Sequence, residues 1–242
     1  MSGRREGSRS PKKAAPGGFF GTGPDTVATG LAGWELLLRF DRGFPERPLC
    51  GVDEAGRGPL AGPLVAAAVI LDPDKPYPGV DDSKKLDPAE RERLYGLITE
   101  GCVAHAVSVV GNREVDLLNP LGATMLAMER SVLGLATRPA LVLVDGNRLP
   151  RLPVEGRCVV KGDSRSLSIA AASIIAKVTR DRIMLELHLE YPGYGFDRHK
   201  GYGTRGHLAA LRELGPSPVH RLSYKGVLQP PGGPSGPAGG LP

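Results

Sequence analysis

Cysteine is scarce in this sequence. Only Cys50, Cys102 and Cys158 occur among 242 residues, an odd, scattered set with no C-x-x-C spacing. That pattern argues against a disulfide framework and against a zinc-thiolate site. Long apolar runs are missing too: none reaches the roughly 18 residues of a membrane span. The N-terminus is basic but has no apolar signal-peptide core. Elimination leaves a reducing, cytoplasmic compartment as the expectation. No internal repeat is present, so array folds are set aside.

Hydrophobic residues make up 40% of the chain, enough for a real core. The length suits one large domain or two small ones. The net charge of +5, with a sequence pI near 9.2, favours a polyanionic partner. Residues 1–27 are mostly Gly, Ser, Arg, Lys and Pro, and 227–242 are rich in Pro and Gly. Both compositions predict disordered tails around a folded domain spanning 28–226. Phe19–Phe20 is the one apolar spot in the first tail.

The chain is organised around Leu49 to Leu71, LCGVDEAGRGPLAGPLVAAAVIL. Two β-rich runs of strand length flank a tight Gly/Pro turn. Asp53 and Glu54 close the first run. Consecutive strand residues face opposite ways, so both acids meet one ligand only if the strand ends or twists there. Helices are expected over Ala28–Arg42, from the Asp87–Glu90 cap to about Ile98, and over Arg113–Leu118. Asn119–Pro120 breaks the chain before another helix over Leu121–Ala136. Strands are expected over Cys102–Val110, over Ala140–Val144 ending at Asp145, and over Cys158–Val160. A long helix over Ser166–Leu189 opens with small residues that let it lie close to a sheet. Tyr191–Thr204 reads as a loop and His207–Leu214 as a closing helix. This order implies an α/β domain with a central mixed sheet flanked by helices, plus a helical C-terminal segment.

Four acids take comparable positions. Asp53 and Glu54 end one strand, Asp145 ends another, and Asp163 precedes the long helix. Acids at the ends of neighbouring strands of an open α/β sheet can converge on one crevice. Gathered there they repel one another unless cations are present, and their hard oxygens suit Mg2+ or Mn2+ rather than zinc. Taken singly, each has an ordinary alternative: a solvated turn for Asp53–Glu54, a turn acid in Asp145–Gly146, a dipole-favoured helix acid for Asp163. Asp181, mid-helix between Arg180 and Arg182, reads as an ion-pair partner. His199 and His207 show no metal-ligand spacing.

The motif VDEAGRGPLAGP resembles the signature of the ribonuclease HII (type 2 ribonuclease H) family. The likeness continues in Asp82-Ser83-Lys84-Lys85-Leu86, Val144-Asp145-Gly146, Lys161-Gly162-Asp163, Ala171 through Asp181, and Tyr191-Pro192 through His199–Thr204, in the family's order. It covers roughly residues 30 to 226. The resemblance implies a ribonuclease H-like fold and an endonuclease acting by two-metal-ion catalysis. It implies cutting of the RNA strand of RNA/DNA hybrids, and at ribonucleotides in duplex DNA, leaving 3′-hydroxyl and 5′-phosphate ends. Asp53, Glu54, Asp145 and Asp163 become the catalytic, metal-binding set. Gly56, Arg57 and Gly58 become the loop that senses the 2′-hydroxyl, Lys84 a phosphate contact along with Lys85 and Lys200, and Tyr202 the residue that selects the RNA–DNA junction. The expected partners are nucleic-acid duplexes, with no membrane, and the chain is expected to act as a monomer. A resolvase-like nuclease and a non-catalytic nucleic-acid-binding module are the competing readings.

Overall fold

The computed structural model describes residues 31–228. The basic tail, Phe19–Phe20 and the chain beyond 228 lie outside the described residues. The sheet and its helices belong to the unit that starts at Ala32. Val227, assigned above to the C-terminal tail, is buried, so the fold extends past the expected boundary.

Five strands make one sheet: β1 (Leu49–Ala55), β2 (Leu64–Ile70), β3 (Ala104–Val110), β4 (Leu141–Asp145) and β5 (Glu155–Val159). Their order is β3-β2-β1-β4-β5. The first three strands pair antiparallel, while β4 and β5 run parallel to β1. The helices are α1 (Gly33–Arg42), α2 (Pro88–Gly101), α3 (Asn112–Leu133), α4 (Leu167–Glu190), α5 (Phe196–His199) and α6 (Arg205–Leu214). This is the expected mixed sheet flanked by helices. Among the described residues, no helix is long and apolar enough to cross a membrane.

The two-residue period of the strands sorts the core into two layers. Val65, Ala67 and Val69 of β2 pack with α4 and α2 on one face. Leu64, Ala66, Ala68 and Ile70 pack with α3 on the other. Because β2 is covered on both faces, every one of its residues is buried. The small residues that open α4 lie against β1. A Cβ on Gly51 would stand 2.1 Å from the Ser168 carbonyl carbon, so only glycine admits the helix at this depth.

Caps explain most boundaries. The Asp87 side chain accepts from the Glu90 N–H at the start of α2, and the Ser166 side chain accepts from Ile169 at the start of α4, each satisfying a donor with no intrahelical partner. In α3, Asn119 leaves the helical region at φ 60°. Its Oδ1 accepts from the Leu121 and Gly122 N–H groups, so the expected break is a recapped kink at Pro120. Two expectations need correction. Residues 191–204 are not wholly loop, since a 3-10 turn spans Pro192–Tyr194 and α5 follows. The connection from β1 to β2 is an eight-residue loop, 56–63, rather than a tight turn.

Candidate active site

The parallel pairing of β1 with β4 sets Val52 beside Val144. The next residues, Asp53 and Asp145, therefore stand abreast at the carboxyl ends of neighbouring strands. Alternation turns both toward the α4 face, because Gly51 and Leu143, two residues earlier, face that way. Glu54 leaves on the opposite face, as the pleat requires. Asp163 sits in the 3-10 turn Gly162–Ser164 that leads into α4. Asp53 and Asp163 are each only 5% exposed.

The carboxylates are electrostatically linked. Burial pushes Asp53 well above the usual carboxylate range, and the charges of Glu54, Asp145 and Asp163 push it the same way. Burial also raises Glu54, against the pull of Arg57. Asp145 is raised by burial and by Asp163, against a 2.6 Å hydrogen bond donated by the Gly162 N–H. Lys84 supplies the nearest counter-charge. Its ammonium lies 2.5 Å from Asp163 Oδ2 and 3.6 Å from Asp82. Partial burial opposes the lysine's charge, yet the hydrogen bond and charge of Asp163 outweigh it and the net shift is upward.

Among the described residues, no three His, Cys, Asp or Glu side chains close on one point tightly enough to cage an ion. The Gly162 N–H and the Lys84 ammonium already hold Asp145 and Asp163. The donor chemistry nevertheless fits a hard divalent cation: all the candidate ligating atoms are oxygens, and the under-compensated negative charge would be relieved by positive charge.

Asp53 and Glu54 open onto a cavity of about 270 Å3 that is also lined by Gly56, Arg57, Gly58, Lys84, Lys177, Arg180 and Tyr202. A Cβ on Gly58 would meet the Tyr202 ring at 3.9 Å, so the loop and the tyrosine face each other across the opening. Tyr202 is 46% exposed, enough to offer its ring to a ligand. Asp145 and Asp163 are not part of this lining. Lys85 pairs with Asp81, and Lys200 donates to the Asp197 carbonyl. Lys177 also lines a neighbouring groove of about 320 Å3 with Arg91, Arg182, Arg198 and Lys200.

The loop is fixed from behind by two arginines. Arg180, 1% exposed, donates to the carbonyls of Pro63, Lys200 and Ala61 at 2.9, 3.0 and 3.2 Å. Arg221, fully buried, donates to those of Gly56, Gly62 and Arg57 at 2.7, 3.0 and 3.2 Å and to the Tyr224 hydroxyl. Burial lowers Arg180 to about 10, with Arg221 adding to the effect. Gly56 adopts φ +92°, and a Cβ there would strike Arg180 Nε at 2.0 Å, so the guanidinium fills the space that a side chain would need.

A chain of imidazoles supports Tyr202. The Ser217 N–H donates to His220 Nδ1 at 2.9 Å. That leaves the proton on His220 Nε2, which donates to His207 Nε2 at 3.0 Å. His207 Nδ1–H then donates to the Tyr202 carbonyl at 3.0 Å. His199 stacks on His207 with centroids 4.5 Å apart. The three histidines pack and hydrogen-bond with one another behind Tyr202. Sequence reasoning missed Arg180, Arg221 and His220. The only local hint was an arginine set in a helix of small residues. Asp181 is the expected ion-pair partner, and the cation it holds is Lys177, at 2.7 Å.

The family model "Ribonuclease HII" matches residues 50–227. A ribonuclease HII of Burkholderia thailandensis is 54% identical over 200 residues, 83% of this chain and 94% of that one. In structure, the ribonuclease H2 of Pyrococcus horikoshii OT3 superposes with a TM-score of 0.65 at 28% identity, covering 74% of this chain and 94% of that one. Bst-RNase HIII, solved in complex with Mn2+, shares the fold at 23% identity, with a TM-score of 0.54 over 74% of this chain and 67% of that one. The matched span runs from β1 through the Arg221 segment and so takes in all four acids, the arginine-braced loop and Tyr202: the chain belongs to the ribonuclease HII family and is an endoribonuclease of the ribonuclease H class.

Proposed function

We propose that this chain hydrolyses the RNA strand of RNA/DNA hybrids and cuts at ribonucleotides embedded in duplex DNA, leaving 3′-hydroxyl and 5′-phosphate ends. The observation that carries this reading is the pairing of Asp53 and Asp145 at adjacent strand ends, beside a Gly-Arg-Gly loop that faces Tyr202. Two divalent cations, Mg2+ or Mn2+, would activate the attacking water and stabilise the leaving oxygen. Asp53, Glu54, Asp145 and Asp163 would hold them. The Mn2+ of Bst-RNase HIII belongs to that protein; here the all-oxygen donor set supports a hard cation. The pocket walls supply selectivity. Gly56–Gly58 brings main-chain donors and the Arg57 guanidinium to the 2′-hydroxyl, the group that separates RNA from DNA. Tyr202 offers a flat face to the sugar on the far side of the junction. Lys84, together with the Lys177–Arg198 groove, supplies positive charge along a phosphate backbone. A pure binder of polyanions gains nothing from buried acids, which disfavours the non-catalytic reading. The three free cysteines support a reducing, cytoplasmic compartment, and we read the active form as a monomer whose catalytic unit is the folded domain. The test is incubation with Mg2+ and a duplex carrying one ribonucleotide, beside an all-DNA duplex. A nick at the ribonucleotide whose ends accept polymerase and ligase is the expected result; equal cutting of both duplexes would sink the reading.

A further inference from the structure

We propose that Arg180 and Arg221 are positioning residues that set which way the substrate loop presents its peptide groups. This rests on the functional reading above. Buried guanidinium groups ordinarily pair with carboxylates. Both of these are instead satisfied by main-chain carbonyls, five of them from the loop itself: Gly56, Arg57, Ala61, Gly62 and Pro63. A trans peptide holds its N–H opposite its carbonyl. Drawing the Gly56 and Arg57 carbonyls inward therefore turns the Arg57 and Gly58 N–H groups outward, toward the cavity that both residues line. Neither N–H finds an acceptor among the described residues, and both residues are exposed. Two adjacent outward donors make a concave seat for one oxygen, and two buried positive charges lie behind it.

Arg180 does a second thing. Its third donor holds the Lys200 carbonyl, and the Leu60 N–H donates to the Gly201 carbonyl at 2.8 Å. The loop and the segment carrying Tyr202 are thus fastened to one guanidinium, which fixes the width of the opening between them. A lysine cannot replace it, because one ammonium lacks the planar fork that reaches three carbonyls at once.

The experiment compares wild type, Arg180→Lys and Arg221→Lys on duplexes with and without a single ribonucleotide. Ile98→Ala, in the α2 core, serves as a control for general destabilisation. Each Lys variant should lose about tenfold to hundredfold in the ribo-to-deoxy ratio of kcat/KM, the scale set by removing hydrogen bonds to a charged donor. The Mg2+ concentration at half-maximal rate should stay unchanged, and Ile98→Ala should keep the wild-type ratio. Wild-type ratios in both Lys variants would overturn the proposal, and no preference in wild type would overturn the functional reading along with it. In case a variant fails to fold, amide NMR of Asp53→Asn supplies an independent readout. Adding the ribonucleotide duplex should shift the Arg57 and Gly58 amides, and the all-DNA duplex should not. Equal response to both duplexes would equally overturn it.

Discussion

Two clusters of like charge lie side by side in this protein and are treated in opposite ways. The acids at the ends of β1 and β4 are short of compensation, with Lys84 as the main internal counter-charge and three of the carboxyl groups pushed upward by burial and one another. The arginines behind the Gly56–Pro63 loop each hold three neutral main-chain carbonyls and no carboxylate. The difference separates work from support. On the proposed reading, charge that acts on an incoming group is left needing one, while charge that orients the loop is held by main-chain carbonyls.

Removing a single acid should break this contrast hardest. Asp53→Asn or Asp145→Asn is expected to lower turnover by a factor on the order of 10^3 or more. Thermal stability in chelated buffer should hold or rise, because a repulsive carboxylate has gone. Turnover assays at saturating Mg2+ paired with melting curves check both halves. Substantial activity in either variant would remove that acid from the set. Tyr202→Ala tests the opposite wall. It should cost about 1–3 kcal/mol of transition-state stabilisation, the range for one stacking face. It should also blur the preference for a lone ribonucleotide over continuous RNA, with the Mg2+ midpoint unmoved. An unchanged rate and ratio would take Tyr202 out of the site.

A smaller effect is expected from the imidazole chain. His220 is held neutral, lowered to about 4 by burial and by His207, whereas an unfolded histidine titrates near 6.5. Between those values the unfolded chain binds the extra proton, so stability is complete above about pH 6.5 and declines as pH falls toward about 4. Melting temperature against pH should show that slope in wild type and a shallower one in His220→Gln. Identical slopes would mean that other groups carry the acid sensitivity. The smallest expected effect is none: a chain lacking residues 1–27 and 229–242 should keep wild-type kcat. Loss of turnover with saturating substrate at low salt would show that a tail contributes to catalysis.

Much of this fold is legible in the sequence. β1, β2, β4 and α4 announce themselves because burial on both sides leaves unbroken apolar or small-residue runs, and α2 because Asp87 and Pro88 mark its start. β5 was placed short because it is an edge strand: Glu155 and Arg157 face solvent, so no apolar pattern marks its first half. Asp53, Glu54 and Asp145 stand out at strand ends and Asp163 just before α4, but it is the ribonuclease HII-like motifs that single them out as a set. The arginines are not legible, since a guanidinium satisfied by main-chain carbonyls needs no complementary residue that sequence could display. The salt bridge from Lys84 to Asp163 joins segments far apart in the chain, and spacing along the sequence carries no trace of it.

The glycine that lets α4 rest on β1 has a kinetic consequence. β1, β2 and β3 can zip up as neighbours along the chain, apart from the α2 excursion, whereas β4 and α4 must arrive from much further away. Docking α4 depends on these long-range contacts and is expected to follow the barrier that forms the meander. It is also the moment at which Asp163 meets Asp53 and Arg180 meets the loop, so mutual repulsion is felt only late on the path. Gly51→Ala, which obstructs docking alone, is expected to speed unfolding with little change in the refolding rate, while Val65→Ala, inside the early meander, should slow refolding. A chevron comparison in which Gly51→Ala acted chiefly on refolding would reverse that order of events.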